Sequence, residues 1–178
     1  MTFAGDYAAF ADGDKIVLNA RRAETYTGVE LYKDGVLLQT IDISGMEPDG
    51  IYVDDEDWVA VDLTSLNLQP GKYRARLTDG MSTTDSTYFE VIGINISAAV
   101  TDDGLQVTFG SVGGTPVSIE RTTDSGFANK YHPVTPEEVQ AGQIILSGWS
   151  YSSTSPYLYI LSKGDYGTVC KHITIPQA

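Results

Sequence analysis

The 178-residue chain carries 24 acidic and 11 basic side chains, a net charge of −13, and a single cysteine, Cys170. A pI near 4.3 with no basic cluster excludes recognition of a phosphate backbone, which needs Lys and Arg to displace counterions, and argues against an anionic membrane surface. One cysteine excludes an intrachain disulfide, so the fold must hold by packing alone. No basic segment followed by an apolar run opens the chain, and no 18-residue apolar window occurs in it. With Met1 as its start, the chain is expected not to be exported by a signal peptide.

In chain order, the first segments are Tyr7–Phe10 and Lys15–Ala20, two expected strands around the turn Asp12-Gly13, with Ile16, Leu18 and Ala20 inward. Gly28–Tyr32 and Val36–Ile41 flank Lys33-Asp34-Gly35. Asp-Gly between apolar runs predicts a hairpin, because both residues tolerate positive φ. Residues 44–57 form a long acidic connection, after which Val59, Val61 and Leu63 alternate inward. Pro70-Gly71 then releases a strand whose odd positions, Tyr73, Ala75 and Leu77, are apolar and whose even positions are Lys72, Arg74, Arg76 and Thr78. Ser86–Ile92 completes about seven strands.

Gly93 is the expected boundary, giving units 1–93 and 94–178. The first holds 17 acidic and 7 basic side chains, net −10; the second holds 7 and 4, net −3. Ile94, Ile96, Ala98 and Val100 alternate with polar or small residues, and Leu105–Phe109 alternates again after Asp103-Gly104. Thr135-Pro136-Glu137-Glu138 carries the signature of a helix start, with Thr as cap, Pro at the first position and Glu138 placed for a capping box. Gly142 would end that helix, near 136–141. Gln143–Leu146, Ser155–Ser162 and Thr168–Ile175 are the remaining expected strands.

The tyrosine strand recurs. Tyr73, Leu77, Thr78 and Gly80 are matched by Tyr157, Leu161, Ser162 and Gly164, each 84 residues on, and Phe89 and Val91 are matched by Ile173 and Ile175 at the same offset. Two copies of one all-β sandwich follow as the expected architecture. By this match Tyr157, Tyr159 and Leu161 face inward. Leu158 and Ile160 then stand outward where the first copy has Arg74 and Arg76, an apolar outer face that must be covered by the chain itself or by a partner protein.

The run Leu68-x-Pro70-Gly71-x-Tyr73-x-x-x-Leu77 resembles the entry to strand F of immunoglobulin-like and fibronectin type III-like domains. There the tyrosine bonds upstream backbone, the tyrosine corner. Tyr73 matches that position; Tyr157 matches less closely, because Ser155-Pro156 replaces Pro-Gly. Ala75 and Tyr159 stand where an antibody-type domain carries a cysteine, which resembles the disulfide-free relatives found in bacteria and their viruses. The resemblance implies two tandem immunoglobulin-like sandwiches without a catalytic role. Fold, size and the missing export signal together are similar to accessory proteins of tailed-phage virions, including auxiliary capsid or decoration proteins of crAss-like gut phages. Such proteins dock on a major capsid or other virion protein and are assembled in the host cytoplasm. The alternatives are a cell-surface carbohydrate-binding or adhesin module, with a glycan as ligand, and a domain cut from a larger hydrolase.

Other constellations have plain explanations beside sharper ones. Glu47, Asp49, Asp54, Asp55 and Asp57 could offer oxygen ligands to calcium but lack the spaced Asp-x-Asp-x-Asp-Gly loop, as expected of a solvated connection. His132 and His172 share no metal-ligand spacing, and no other metal or cofactor site is expected. Cys170 and His172 would share a strand face, without the third partner that nucleophilic catalysis needs. No nucleophile elbow, P-loop or dinucleotide fingerprint occurs, so no catalytic residue is assigned. Trp149, Tyr151 and Tyr166 accompany a Ser/Thr-rich stretch and are candidate contact residues for a partner, with Leu158 and Ile160.

Overall fold

A computed structural model of the protein describes residues 7–21, 26–46, 58–81, 83–122, 129–148 and 156–177. The chain divides into two compact units, 1–91 and 92–178, two residues before the glycine at which the sequence pattern changes. Each unit is an all-β sandwich of immunoglobulin-like type.

The first unit contains β1 (Tyr7–Ala11), β2 (Val17–Arg21), β3 (Gly28–Lys33), β4 (Val36–Asp42), β5 (Trp58–Asp62), β6 (Gly71–Thr78) and the opening part of β7 (Thr83–Thr101). One sheet runs β4-β3-β6-β7, with β1 also on β7; the other pairs β2 with β5. The expected strands flanking Asp12-Gly13 therefore join different sheets rather than each other. The Asp34-Gly35 hairpin forms as the dipeptide dictates, with φ of 51° and 79° at its two turn residues. Alternation sorts the side chains: Ile16, Leu18, Ala20, Val59, Val61, Leu63, Ala75 and Leu77 are buried with Val29, Leu31 and Phe89 in one core.

Tyr73 is 3% exposed, stacks on Phe89 at 5.1 Å, and its hydroxyl donates to the Gln69 carbonyl at 2.5 Å. This is the upstream backbone bond that the strand-F resemblance implies. Gly71 is needed beneath it, because its φ of 150° is one that a residue with a side chain rarely adopts. Lys33 Nζ donates to the Pro70 carbonyl at 3.1 Å while lying 5.4 Å from the Tyr73 ring centroid.

The second unit contains the rest of β7, then β8 (Gly104–Val112), β9 (Thr115–Thr122), β10 (Asn129–Pro133), α1 (Pro136–Ala141), β11 (Gln143–Leu146), β12 (Tyr157–Lys163) and β13 (Thr168–Thr174). Its sheets run β10-β9-β12-β13 and β7-β8-β11. The pairing order repeats that of the first unit: β9, β10, β12 and β13 stand as β3, β4, β6 and β7 do, and β8 with β11 as β2 with β5. Helix α1 has both bonds of its capping box, Thr135 with Glu138, and ends at Gly142 with φ 66°. Strand β10 was not expected: Asn129-Lys-Tyr-His-Pro133 has no apolar alternation, and its pairing with β9 supplies the strand geometry.

One expectation fails. β12 and β6 are the same strand by topology, but their faces differ by one residue. Leu158, Ile160 and Ser162 are each 0% exposed, whereas Tyr157 is 44% exposed and Tyr159 and Leu161 are half-buried. The 84-residue tyrosine match therefore pairs a core residue with a surface one. Across the sheet, Tyr73 lies opposite Phe89 in the first unit, and Leu158 lies opposite Ile173 in the second. Both residue sets of β12 are apolar enough to be buried, and the sequence has no Pro-Gly before Tyr157 of the kind that stands before Tyr73, so nothing in the pattern fixes the tyrosine inward.

Urea unfolding tests this assignment. Leu158→Ala or Ile160→Ala should lower stability by about 2–5 kcal/mol, and Tyr73→Phe by about 1 kcal/mol. Tyr157→Phe should stay within about 0.5 kcal/mol of the parent.

Candidate interaction surface

The one-residue shift of β12 puts its aromatic set on the outer face of the sheet. Cross-strand partners share a face, and Tyr131 of β10 lies opposite Glu120 of β9, Glu120 opposite Tyr159 of β12, and Tyr159 opposite His172 of β13. The row thus crosses all four strands. Tyr131 is 61% exposed, His172 is exposed, and Glu120 and Tyr159 are half-buried. Tyr157 joins the row from the next position. Its ring lies 5.4 Å from His172 and 6.5 Å from Tyr159, and Tyr159 lies 5.7 Å from His172. These are edge-to-face and tilted contacts, at interplanar angles of 86°, 61° and 41°. The rings brace one another, so little rotamer freedom remains to be lost when a partner covers them.

On the neighbouring row lie Leu161 and exposed Cys170. Cys170 and His172 do share a strand face, as their spacing implies, but the His172 ring is engaged with Tyr157 and Tyr159. The inward row behind the aromatic one is Ile119 opposite Ile160 opposite Lys171, whose ammonium donates to the Ile94 carbonyl at 2.9 Å.

Leu158 and Ile160 are core residues and form no part of a docking face. Tyr166, in the turn between β12 and β13, is half-buried. Trp149 and Tyr151, and the acidic candidates Glu47, Asp49, Asp54, Asp55 and Asp57, lie outside the described residues. Among the described residues no group of three or more His, Cys, Asp or Glu is arranged to hold a metal ion, and no helix is long and apolar enough to cross a membrane. Tyr131 and His172 as contact residues were missed from sequence. Their signal is visible only once the β10–β9–β12–β13 register is known.

The corresponding face of the first unit is polar and internally engaged. Arg74 lies 4.6 Å and Arg76 5.9 Å from the Tyr32 ring centroid, Tyr32 donates to Glu30 at 2.6 Å, and Tyr7 stacks on Tyr88 at 5.7 Å. The hydrogen bond to Glu30 is the main reason the Tyr32 hydroxyl is held above its ordinary pKa.

His132 is tied to α1: its Nε2 is 3.2 Å from both carboxylate oxygens of Glu138. The same carboxylate accepts from the Thr135 backbone N–H at 2.9 Å. That backbone bond, then His132, holds the Glu138 carboxyl below its ordinary value of 4.5.

No family description matches the sequence, and no curated protein matches it. Solved structures that resemble the chain are immunoglobulin domains. Extracellular domains 3–5 of Drosophila OTK share 14% identity over 99% of this chain, with a TM-score of 0.32; this chain spans 63% of that one. The CD2-binding domain of CD58 shares 10% identity over 97% of this chain and 98% of its own, at a TM-score of 0.33. A crystal structure of Dpr11 IG1 bound to DIP-gamma shares 12% identity over 98% of this chain and 97% of its own, at 0.29. Likeness at this level carries no argument about function.

The capping carboxylate has a signed pH dependence. A depressed folded pKa contributes stability that is fully present above about pH 5 and lost as pH falls through the folded value. Glu138→Gln should therefore lower stability at pH 7 and shrink its decline between pH 5 and pH 3, read by urea unfolding at each pH. Thr135→Ala should cost about 1 kcal/mol.

Proposed function

We propose that the chain is a non-enzymatic docking protein that binds a larger protein assembly through the aromatic outer face of its second unit. The observation that carries this reading is the cross-strand row Tyr131, Glu120, Tyr159 and His172, with Tyr157 beside it, on the outer face of one sheet, where Tyr131, Tyr157 and His172 are exposed and Glu120 and Tyr159 half-buried. Tyrosine anchors of this kind dominate binding energy at protein interfaces, since they bury a large apolar area with two side-chain torsions and retain a hydroxyl for the polar rim. The first unit, net −10, projects from the assembly, where like charge keeps neighbouring particles apart.

The assembly we assign is the virion of a tailed phage, with a major capsid or other virion protein as the docking partner. Support comes from the resemblance of the Pro-Gly-x-Tyr strand to disulfide-free immunoglobulin-like domains, together with the tandem arrangement and the acidic charge.

Co-sedimentation with whole particles from infected cells tests both levels. Tyr131→Ser with Tyr157→Ser should weaken attachment by roughly 2 kcal/mol or more, about thirtyfold, with the unfolding midpoint unchanged. Unchanged occupancy would refute the assigned face. Failure of the parent protein to sediment with any particle would refute the virion assignment.

A further inference from the structure

β4 is the outermost strand of the larger sheet in the first unit, and its described partner is β3 alone. Val36, Leu37 and Leu38 are exposed at 64%, 47% and 50%. The β3–β4 register shifts between Leu31 and Tyr32 and leaves Leu38 at a bulge; Val36, opposite Lys33, and Leu37, opposite Tyr32, lie on opposite faces, so both faces of this end are bare. The opposing sheet is the narrow β2–β5 pair, and β4 reaches the core only near its far end, where Ile41 packs against it and Ile43 beyond is fully buried.

Such an edge presents backbone N–H and C=O groups beside apolar side chains, and proteins ordinarily blunt it with Lys, Pro, a charge or a β-bulge, of which β4 has the bulge alone, at Leu38. At the equivalent edge of the second unit, β10 ends in Pro133, which has no N–H to offer. Val36-Leu-Leu-Gln-Thr-Ile41 carries no charge and no proline. Acidic residues stand instead at both ends, Asp34 in the preceding turn and Asp42 closing the strand. Ser44 donates to Asp42 Oδ1 from its hydroxyl at 2.7 Å and its backbone at 2.9 Å, which holds that carboxyl ionised below its ordinary range.

We propose that β4 is a strand-addition site for an extended segment of a partner protein, apolar in its middle and carrying Lys or Arg at its ends. Main-chain hydrogen bonds along the free edge supply the pairing, alternate side chains of the segment extend the two bare faces of β4, and its basic ends meet Asp34 and Asp42. A second copy of the chain is the poorer occupant. Antiparallel self-pairing centred on Gln39 sets Asp42 against Val36 of the other copy and brings that copy's Asp34 to the same end, between units each of net −10. The site rests only on the reading of the chain as an interaction protein. It lies in the other unit from the aromatic face, so loss of either leaves the other measurable.

The test is fluorescence anisotropy of the full chain with a short labelled peptide of alternating Val and Thr flanked by Lys. Saturable binding that weakens with salt is expected. Leu37→Lys should abolish it, and Asp34→Asn with Asp42→Asn should weaken it roughly three- to tenfold with the protein still folded under the assay conditions. The same peptide flanked by Glu should not bind. The proposal is overturned by equal binding of the Glu-flanked peptide, by no saturable binding, or by indifference to Leu37→Lys. It is also overturned if every amide of Val36–Ile41 is already protected from hydrogen exchange in the protein alone, or if the chain forms a dimer that Leu37→Lys dissociates.

Discussion

Side-chain parity along one strand in each unit sets what the rest of the molecule can do. β6 turns Tyr73, Ala75 and Leu77 into its sandwich, and β12 turns in Leu158, Ile160 and Ser162. Antibody domains tie the corresponding strand to the opposite sheet by a disulfide, but a chain with one cysteine, and that exposed, has packing alone. Ala75, fully buried where a cysteine would stand, is small enough for the sheets to close over it, and the stacked pair Tyr73–Phe89 fills the space alongside. Each large apolar residue turned inward, such as Leu77, Leu158 or Ile160, is worth roughly 1.5–3 kcal/mol of burial, so a slip by one position would expose the whole set.

How much of this was legible in the residues depends on how one-sided each segment is. β6 alternates apolar with Lys and Arg, and Tyr73, Ala75 and Leu77 could be assigned inward from sequence; Thr78, expected on the polar face, is buried as well, past the register shift at Arg76–Leu77. The Asp34-Gly35 hairpin and the Thr135–Gly142 helix were equally plain, because turn and cap residues act through their own backbone geometry. β12 was not legible in the same way. With Tyr157, Leu158, Tyr159, Ile160 and Leu161 all apolar, alternation cannot choose a face, and the tyrosine match chose the wrong one. β10 was hidden because its strand form comes from pairing with β9 and not from its own pattern. The aromatic row was hidden for a related reason: its members come from four strands, and only their register brings Tyr131 and His172 to the same line.

The two surfaces proposed for partners follow from opposite departures from an ordinary sandwich. In the second unit, a strand with two apolar faces buries one and leaves tyrosines on the other. In the first, a sheet wider than its opposing sheet leaves the apolar end of β4 uncovered. Neither surface contains a paired acid and base, a nucleophile with its activator, or a metal-ligand set among the described residues. Both suit recognition by contact, one through side chains and one through backbone.

Tyrosine accessibility measures the parity of β12 most directly. After brief nitration of the folded protein and residue-by-residue mass spectrometry, Tyr131 and Tyr157 should be modified early, while Tyr73 should remain protected until the protein is unfolded. Protection of Tyr157 equal to that of Tyr73 would return it to the core, expose Leu158 and Ile160 in its place, and contradict the account.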